Sequence, residues 1–273
     1  MIRIISLAVG AFFSLALLLG FGTGLVSYIS EPPAKTAEKL FVKHDLKPLK
    51  LASDGPFGKF DEAQLQRGFA VYQGVCAACH AIKQVAYRDL EKLGYNEAER
   101  KAIAAKATIA TKDPLTGEIK DRPGLPADKF PPVVYAGVGN PPDLSLITKA
   151  RHGGAAYIYS LLTGYEASQP AELVKKFPDS KTGANMHYNP YFANLNIAMA
   201  APLASDDLVT YSDGTKATKD QMAQDVSAFL VWTAEPELEK RHQTGFVWLL
   251  FMIFATVLGY MSYRNIWAEK KGH

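Results

Sequence analysis

The chain has 273 residues, enough for one large domain or two small ones. Apolar residues make up 48% and charged residues 21%, ordinary values for a folded protein. A net charge of +3, with no basic run interleaved with aromatics, leaves nucleic-acid binding without a footing.

The first segment, "MIRIISLAVGAFFSLALLLGFGTGLVSYISEPP", carries Arg3 and then an almost wholly apolar run over residues 4–29. A secretory signal needs an apolar region of about 7–15 residues and a small-residue cleavage site. This run is longer, no A-x-A comes after it, and Gly20, Gly22 and Gly24 interrupt its second half. Residues 1–30 therefore read as an export signal or an N-terminal anchor. Either fate exports the middle of the chain.

"FDEAQLQRGFAVYQGVCAACH" reads as a helix. Asp61 is its expected N-cap with Gln64 three residues on. Leu65, Phe69, Tyr72 and Cys76 recur on one helical face, and Gly68 leaves room for a second helix to cross closely. That partner is expected in "TKDQMAQDVSAFLVWTAEP". There Thr218 and Gln221 form a capping-box pattern, Met222, Val226, Phe229 and Leu230 form an apolar face, and Pro236 ends the helix.

Cys76 and Cys79 are the only cysteines, and His80 comes directly after them. A bridge between residues three apart would be unusual for a structural disulfide. A thioredoxin-like pair should sit near a βαβ pattern, which the flanks lack. A zinc site needs four ligands, and no second cysteine pair exists. C-x-x-C-H is the attachment signature of c-type haem. Its two thiols form thioethers to one porphyrin, and the histidine then lies beneath the iron. One covalently attached haem c is therefore expected, with His80 as an iron ligand.

An iron held by His80 needs a second axial group or an open site. A methionine ligand raises the reduction potential and marks electron transfer. Met222 fits a helix–helix face and Met186 a polar stretch, whereas Met199 lies in "NLNIAMAAPLAS", a short apolar loop closed by Pro202. Met199 is the favoured ligand. Among the histidines, only His152 in "ARHGG" sits in a turn tight enough to rival it.

Near the C-terminus, residues 244–263 form an uncharged apolar stretch. About 20 helical residues cross a bilayer core of about 30 Å. Trp248 at one end and Tyr260, Tyr263 and Trp267 at the other suit the interfacial belts. Arg264, Lys270 and Lys271 come next, so the positive-inside rule puts the C-terminus in the cytoplasm and the middle of the chain outside. The resulting division is residues 1–30 for export or anchoring, 31–243 for an exported haem domain, 244–264 for a transmembrane helix and 265–273 for a cytoplasmic tail.

In "GFAVYQGVCAACH", "PPDLSLITKARHGGAAYIYSLLTGY", "NPYFANLNIAMAAPL" and "YSDGTKATKDQMAQDVSAFLVWTAEPE", and in the C-terminal apolar stretch, the chain resembles the cytochrome c1 family. These are the haem subunits of ubiquinol–cytochrome c reductase, and the likeness is to an alphaproteobacterial version. The resemblance implies a mainly α, cytochrome c-like haem domain with long loop insertions on a C-terminal membrane helix. It gives Cys76 and Cys79 the thioether positions, His80 the proximal ligand and Met199 the distal one. Arg151 matches an arginine beside a haem propionate, and Tyr157 a tyrosine near the propionates. Pro141 and Pro142 match a proline pair at the haem edge, where a carbonyl accepts from the free His80 nitrogen. With no spare cysteine for the extra disulfide of some bacterial relatives, the distal loop is expected to be held by packing alone.

The implied function is electron transfer from a Rieske iron–sulfur protein to cytochrome c, beside cytochrome b. The location implied is the periplasmic face of the bacterial inner membrane. The chain offers no quinone-oxidising residues of its own, so the enzyme is the complex. The alternative is a stand-alone, membrane-tethered electron shuttle. The long insertions around residues 97–142 and 166–190 count against it.

Overall fold

The computed structural model describes residues 2–112, 116–137 and 139–268. Residues 269–273, the end of the expected tail, lie outside the described residues. Nine α-helices occur among those described: α1 (Ile2–Ser30), α2 (Ala37–Phe41), α3 (Glu62–Val71), α4 (Glu97–Ala105), α5 (Ile147–Ala150), α6 (Gly154–Thr163), α7 (Ala171–Lys176), α8 (Lys219–Ala234) and α9 (Leu238–Ala268). Two antiparallel ladders accompany them, β1 (Thr108–Lys112) with β2 (Ile119–Pro123), and β3 (His187–Tyr188) with β4 (Asn196–Ile197). The architecture is mainly α, as the sequence implies.

Both expected N-caps are made. The Asp61 carboxylate accepts from the Gln64 N–H at 3.2 Å, and the Thr218 hydroxyl from the Gln221 N–H at 3.1 Å. The second box is only half closed, because the Gln221 amide turns to the Asp225 carboxylate, 2.9 Å away.

Helices α3 and α8 cross at Gly68. A β-carbon built there would lie 2.1 Å from the Asp225 carbonyl oxygen and 2.6 Å from Phe229 Cβ, so no larger residue lets the two backbones approach this closely. Around the crossing, Phe69, Phe229 and Trp232 are fully buried. Phe229 lies 5.6 Å from both the Phe69 and Trp232 ring centres. Burying each such side chain contributes about 1.5–3 kcal/mol.

Helix α8 departs from the expected one-faced amphipath. Eleven of its residues are buried, Asp225, Ser227 and Thr233 among them. It is wedged between α3 and α6, so two sides are covered rather than one. Its buried charge is neutralised: Arg67 Nε donates to Asp225 Oδ2 at 3.0 Å, and Arg67 Nη1 to Asp213 at 2.7 Å.

A smaller core of Ala37, Leu173, Tyr188 and Leu195 joins α2, α7 and the β3–β4 ladder, supporting the chain just before Met199. Helix α9 runs unbroken for 31 residues, and α1 for 29. Both are long and apolar enough to cross a membrane, and their apolar stretches are not buried against the rest of the chain.

Candidate haem site

The proximal side grows out of α3. At Val71 the α-helix gives way to a single π-turn, Tyr72–Cys76, closed by the Ala77 N–H donating to the Tyr72 carbonyl at 2.8 Å. Such turns insert one extra residue and recur at functional sites. The sequence pattern implies an uninterrupted helix here, and the wider turn is a local correction to it. The Cys79 and His80 N–H groups then both donate to the Cys76 carbonyl, at 3.1 and 2.9 Å. Cys76, Cys79 and His80 are thus wrapped around one oxygen. Tyr72 Oη donates to the His80 carbonyl at 3.0 Å and holds the turn's far end.

His80 Nδ1 lies 2.8 Å from the Pro142 carbonyl oxygen. A carbonyl only accepts, so the proton sits on Nδ1 and the lone pair on Nε2. This is the arrangement that orients a histidine toward a metal. The acceptor is itself fixed by neighbouring contacts. Leu144 N–H donates to the Ala81 carbonyl at 2.8 Å, Gln84 N–H to Ser145 Oγ at 3.1 Å, and Lys83 N–H to the Asp143 carboxylate at 3.0 Å. Burial works against ionisation of Asp143, but the Lys83 N–H and the Ser145 donors outweigh it and hold the carboxyl below its usual range.

Neither cysteine is in a disulfide. Burial pushes the Cys76 thiol up to about 12, so it stays protonated and is a poor free thiolate. Among the described residues no cluster of three or more His, Cys, Asp or Glu could hold a metal ion. The chemistry of the donor set fits a haem: two unbridged thiols in one turn, and an oriented imidazole beside them.

The distal side rests on the β3–β4 ladder, whose register pairs His187 with Ile197. Leu195, fully buried, takes a left-handed backbone at φ 67°, a strain of about 1 kcal/mol that the small core maintains. Met199 lies just past β4 and is half-buried. Its carbonyl accepts from Tyr165 Oη at 3.0 Å. The loop is therefore held by hydrogen bonding as well as by packing. Asn189 contributes too, donating to the Leu161 carbonyl at 2.8 Å. The register also brings Met186 to the same end of the ladder, whereas Met222 is fully buried in the main core. His152 is exposed.

The two sides meet at Gly139. Its φ of +96° favours glycine, and a β-carbon there would lie 3.6 Å from Ala198 Cβ. The loop carrying Pro142 thus lies against the loop carrying Met199. Arg151 and Tyr157 are also neighbours. Burial pushes the Tyr157 phenol up against the pull of the Arg151 guanidinium, which is within hydrogen-bonding reach. Burial, with Tyr157 nearby, pushes Tyr165 up as well. Arg151 is exposed and, among the described residues, makes no ion pair. Sequence reasoning missed Tyr72 and Tyr165. Each acts on a backbone carbonyl, which leaves no mark in a residue pattern.

The fold and the site define a helical domain with one C-x-x-C-H turn, carried on an apolar C-terminal helix. The Cytochrome C1 family matches residues 51–270, and the chain belongs to it. Cytochrome c1 of Rhodospirillum rubrum is 42% identical over 233 residues, covering 80% of this chain and 85% of that one. A mitochondrial protein of Arabidopsis thaliana named cytochrome c1 1, heme protein, is 40% identical over 267 residues, covering 93% and 82%. The mitochondrial cytochrome b-c1 complex catalytic subunit of Candida albicans is 41% identical over 260 residues, covering 91% and 85%.

Proposed function

We propose that this chain carries one covalently attached haem c, accepts an electron from a Rieske iron–sulfur protein and passes it to cytochrome c. It does so as a subunit of ubiquinol–cytochrome c reductase, beside cytochrome b. When bound, haem c supplies a one-electron Fe(III)/Fe(II) cycle. Cys76 and Cys79 hold the group by thioethers, His80 offers Nε2 and Met199 its sulfur. Arg151 presents a fork of donors to a propionate, with Tyr157 beside it. The haem domain, residues 31–243, faces the periplasm of a bacterial inner membrane. Residues 244–264 anchor it, residues 265–273 lie in the cytoplasm, and residues 1–30 direct export.

The observation that carries this reading is the 2.8 Å contact of His80 Nδ1, in the C-x-x-C-H turn, with the carbonyl of Pro142, 62 residues further on. Support for the complex comes from relatives named as cytochrome c1 and as a cytochrome b-c1 subunit. The test is purification in mild detergent, then haem staining of a denaturing gel. The stain should stay with this polypeptide through acid–acetone extraction, and cytochrome b and a Rieske protein should co-purify. Cys76→Ser with Cys79→Ser should abolish the stain. Covalent haem retained in that double variant would overturn the attachment. A stained chain that purifies alone would make it a tethered shuttle.

A further inference from the structure

The turn at Pro56, Phe57 and Gly58 is absorbed by none of the chemistry above. It is hydrogen-bonded on itself: Gly58 N–H donates to the Gly55 carbonyl at 3.3 Å and Lys59 N–H to the Ala52 carbonyl at 2.9 Å. It is also tied to the start of α9. Phe60 N–H donates to the Glu239 carboxylate at 2.9 Å, and His242 Nδ1 lies 3.2 Å from the Gly58 carbonyl. At its tip the Phe57 ring is 75% exposed, although its centre lies 6.0 Å from that of Phe246.

Phe246 fixes the depth of this tip. The uncharged stretch of α9 begins at Thr244. Phe246 is therefore about 3 Å further along the helix, at a rise of about 1.5 Å per residue. An aromatic ring held against Phe246 stands where α9 leaves water. We propose that this turn is a second membrane contact: Phe57 inserts into the headgroup–acyl boundary of the leaflet that α9 enters.

The occupant is phospholipid, and continuity with α9 argues for it. The cleft of about 330 Å³ between turn and helix is walled by Phe57 and Phe246 at one end and by Lys59 and His242 at the other. An apolar tip with the Lys59 cation and a polar imidazole behind it matches acyl chains below and phosphate headgroups above. Glu239 also lines the cleft, with its carboxylate turned to the Phe60 N–H. Arg241 and Lys240 lie on the same first turns of α9, and Arg241 is paired with Glu235. A haem domain attached at two points keeps a fixed tilt to the bilayer, whereas one attached by a helix alone could swivel.

The test places a nitroxide at Phe57→Cys in the full, haem-loaded chain in phospholipid nanodiscs. References are Val134→Cys, at a residue 95% exposed, and Phe251→Cys, within the span. Site-specific labelling rests on the proposed haem attachment, which occupies Cys76 and Cys79. At position 57, collisions with oxygen should exceed those with a water-soluble nickel chelate, as at 251 and opposite to 134. A label at 57 that behaves like 134, or that both reagents fail to reach because protein covers it, would overturn the proposal. A free thiol in the unlabelled parent would count against the haem attachment and not against this contact. In that case brominated-lipid quenching of Phe57→Trp, measured against the parent chain, reads the same depth, and absence of added quenching overturns it.

Discussion

Tyr165→Phe removes one oxygen and keeps the ring, so it isolates the hydrogen bond to the Met199 carbonyl. That bond is 3.0 Å long. Burial raises the Tyr165 phenol above its ordinary range, so it stays a neutral donor throughout the neutral pH range. A typical net hydrogen bond contributes about 0.5–1.5 kcal/mol, and the half-buried carbonyl can recruit water once its donor is gone. At about 1.4 kcal/mol per factor of ten, release of the Met199 loop should become roughly 2–12 times more frequent. The assay is carbon monoxide capture by the reduced protein, which requires the distal sulfur to leave. Capture should accelerate by that factor, with the weak ferric sulfur band reduced and the effect unchanged between neutral and mildly alkaline pH. A lower melting temperature with unchanged capture would mean that Tyr165 merely fills space, and the reasoning would fail.

Met199→Leu conserves volume and should fold nearly normally. It should lose the ferric sulfur band, drop in potential and bind carbon monoxide, while Met222→Leu does none of these. Because Met186 shares the same end of the β3–β4 ladder, Met186→Leu is the decisive control: that phenotype there, with a silent Met199→Leu, would reverse the assignment. Asp225→Asn keeps the volume but leaves the Arg67 guanidinium with Asp213 alone. Breaking a buried pair costs about 3–5 kcal/mol, and the remaining partner points to the lower end. The denaturant midpoint, read by haem absorbance, should fall accordingly, whereas a change within error would show the pair to be incidental. The Asp128 carboxyl, held down to about 2 chiefly by the Arg122 guanidinium and then by the Leu125 N–H, has a folded value below its unfolded 3.8. Its contribution is therefore complete above about pH 4 and lost as pH falls through 2. Acid unfolding should show Asp128→Asn less stable than the parent at pH 5, with the gap largely closed by pH 2 and gone below it, and a constant gap would contradict the pairing.

Much of this was legible because it is local. The Asp61 and Thr218 caps are four-residue patterns, and the C-x-x-C-H turn is a five-residue one. Gly68 signalled the helix crossing because only a missing side chain permits it. The extent of burial on α8 was not legible, since its polar Asp225 and Ser227 look like a solvent face until Arg67 and α6 are in place. The β1–β2 hairpin was missed because its residues are mostly exposed and the alternation in β1 is shallow. The bond from Tyr165 to Met199 spans 34 residues and ends on a carbonyl, which every residue possesses.

The π-turn at Tyr72–Cys76 has a consequence for which changes the chain can absorb. An α-helix advances about 100° per residue, so the extra residue sets the angular phase at which Cys76 and everything after it emerges. A residue gained or lost here without a matching change of turn type would swing the thiol about 100°, more than a quarter of a revolution, away from its place. Side chains on this turn are thus freer to vary than its length. The β1–β2 hairpin lies outside any such phase relation, and there residues can be gained or lost without moving His80. Insertions and deletions should accumulate in the hairpin and stay out of the π-turn that leads into the C-x-x-C-H segment.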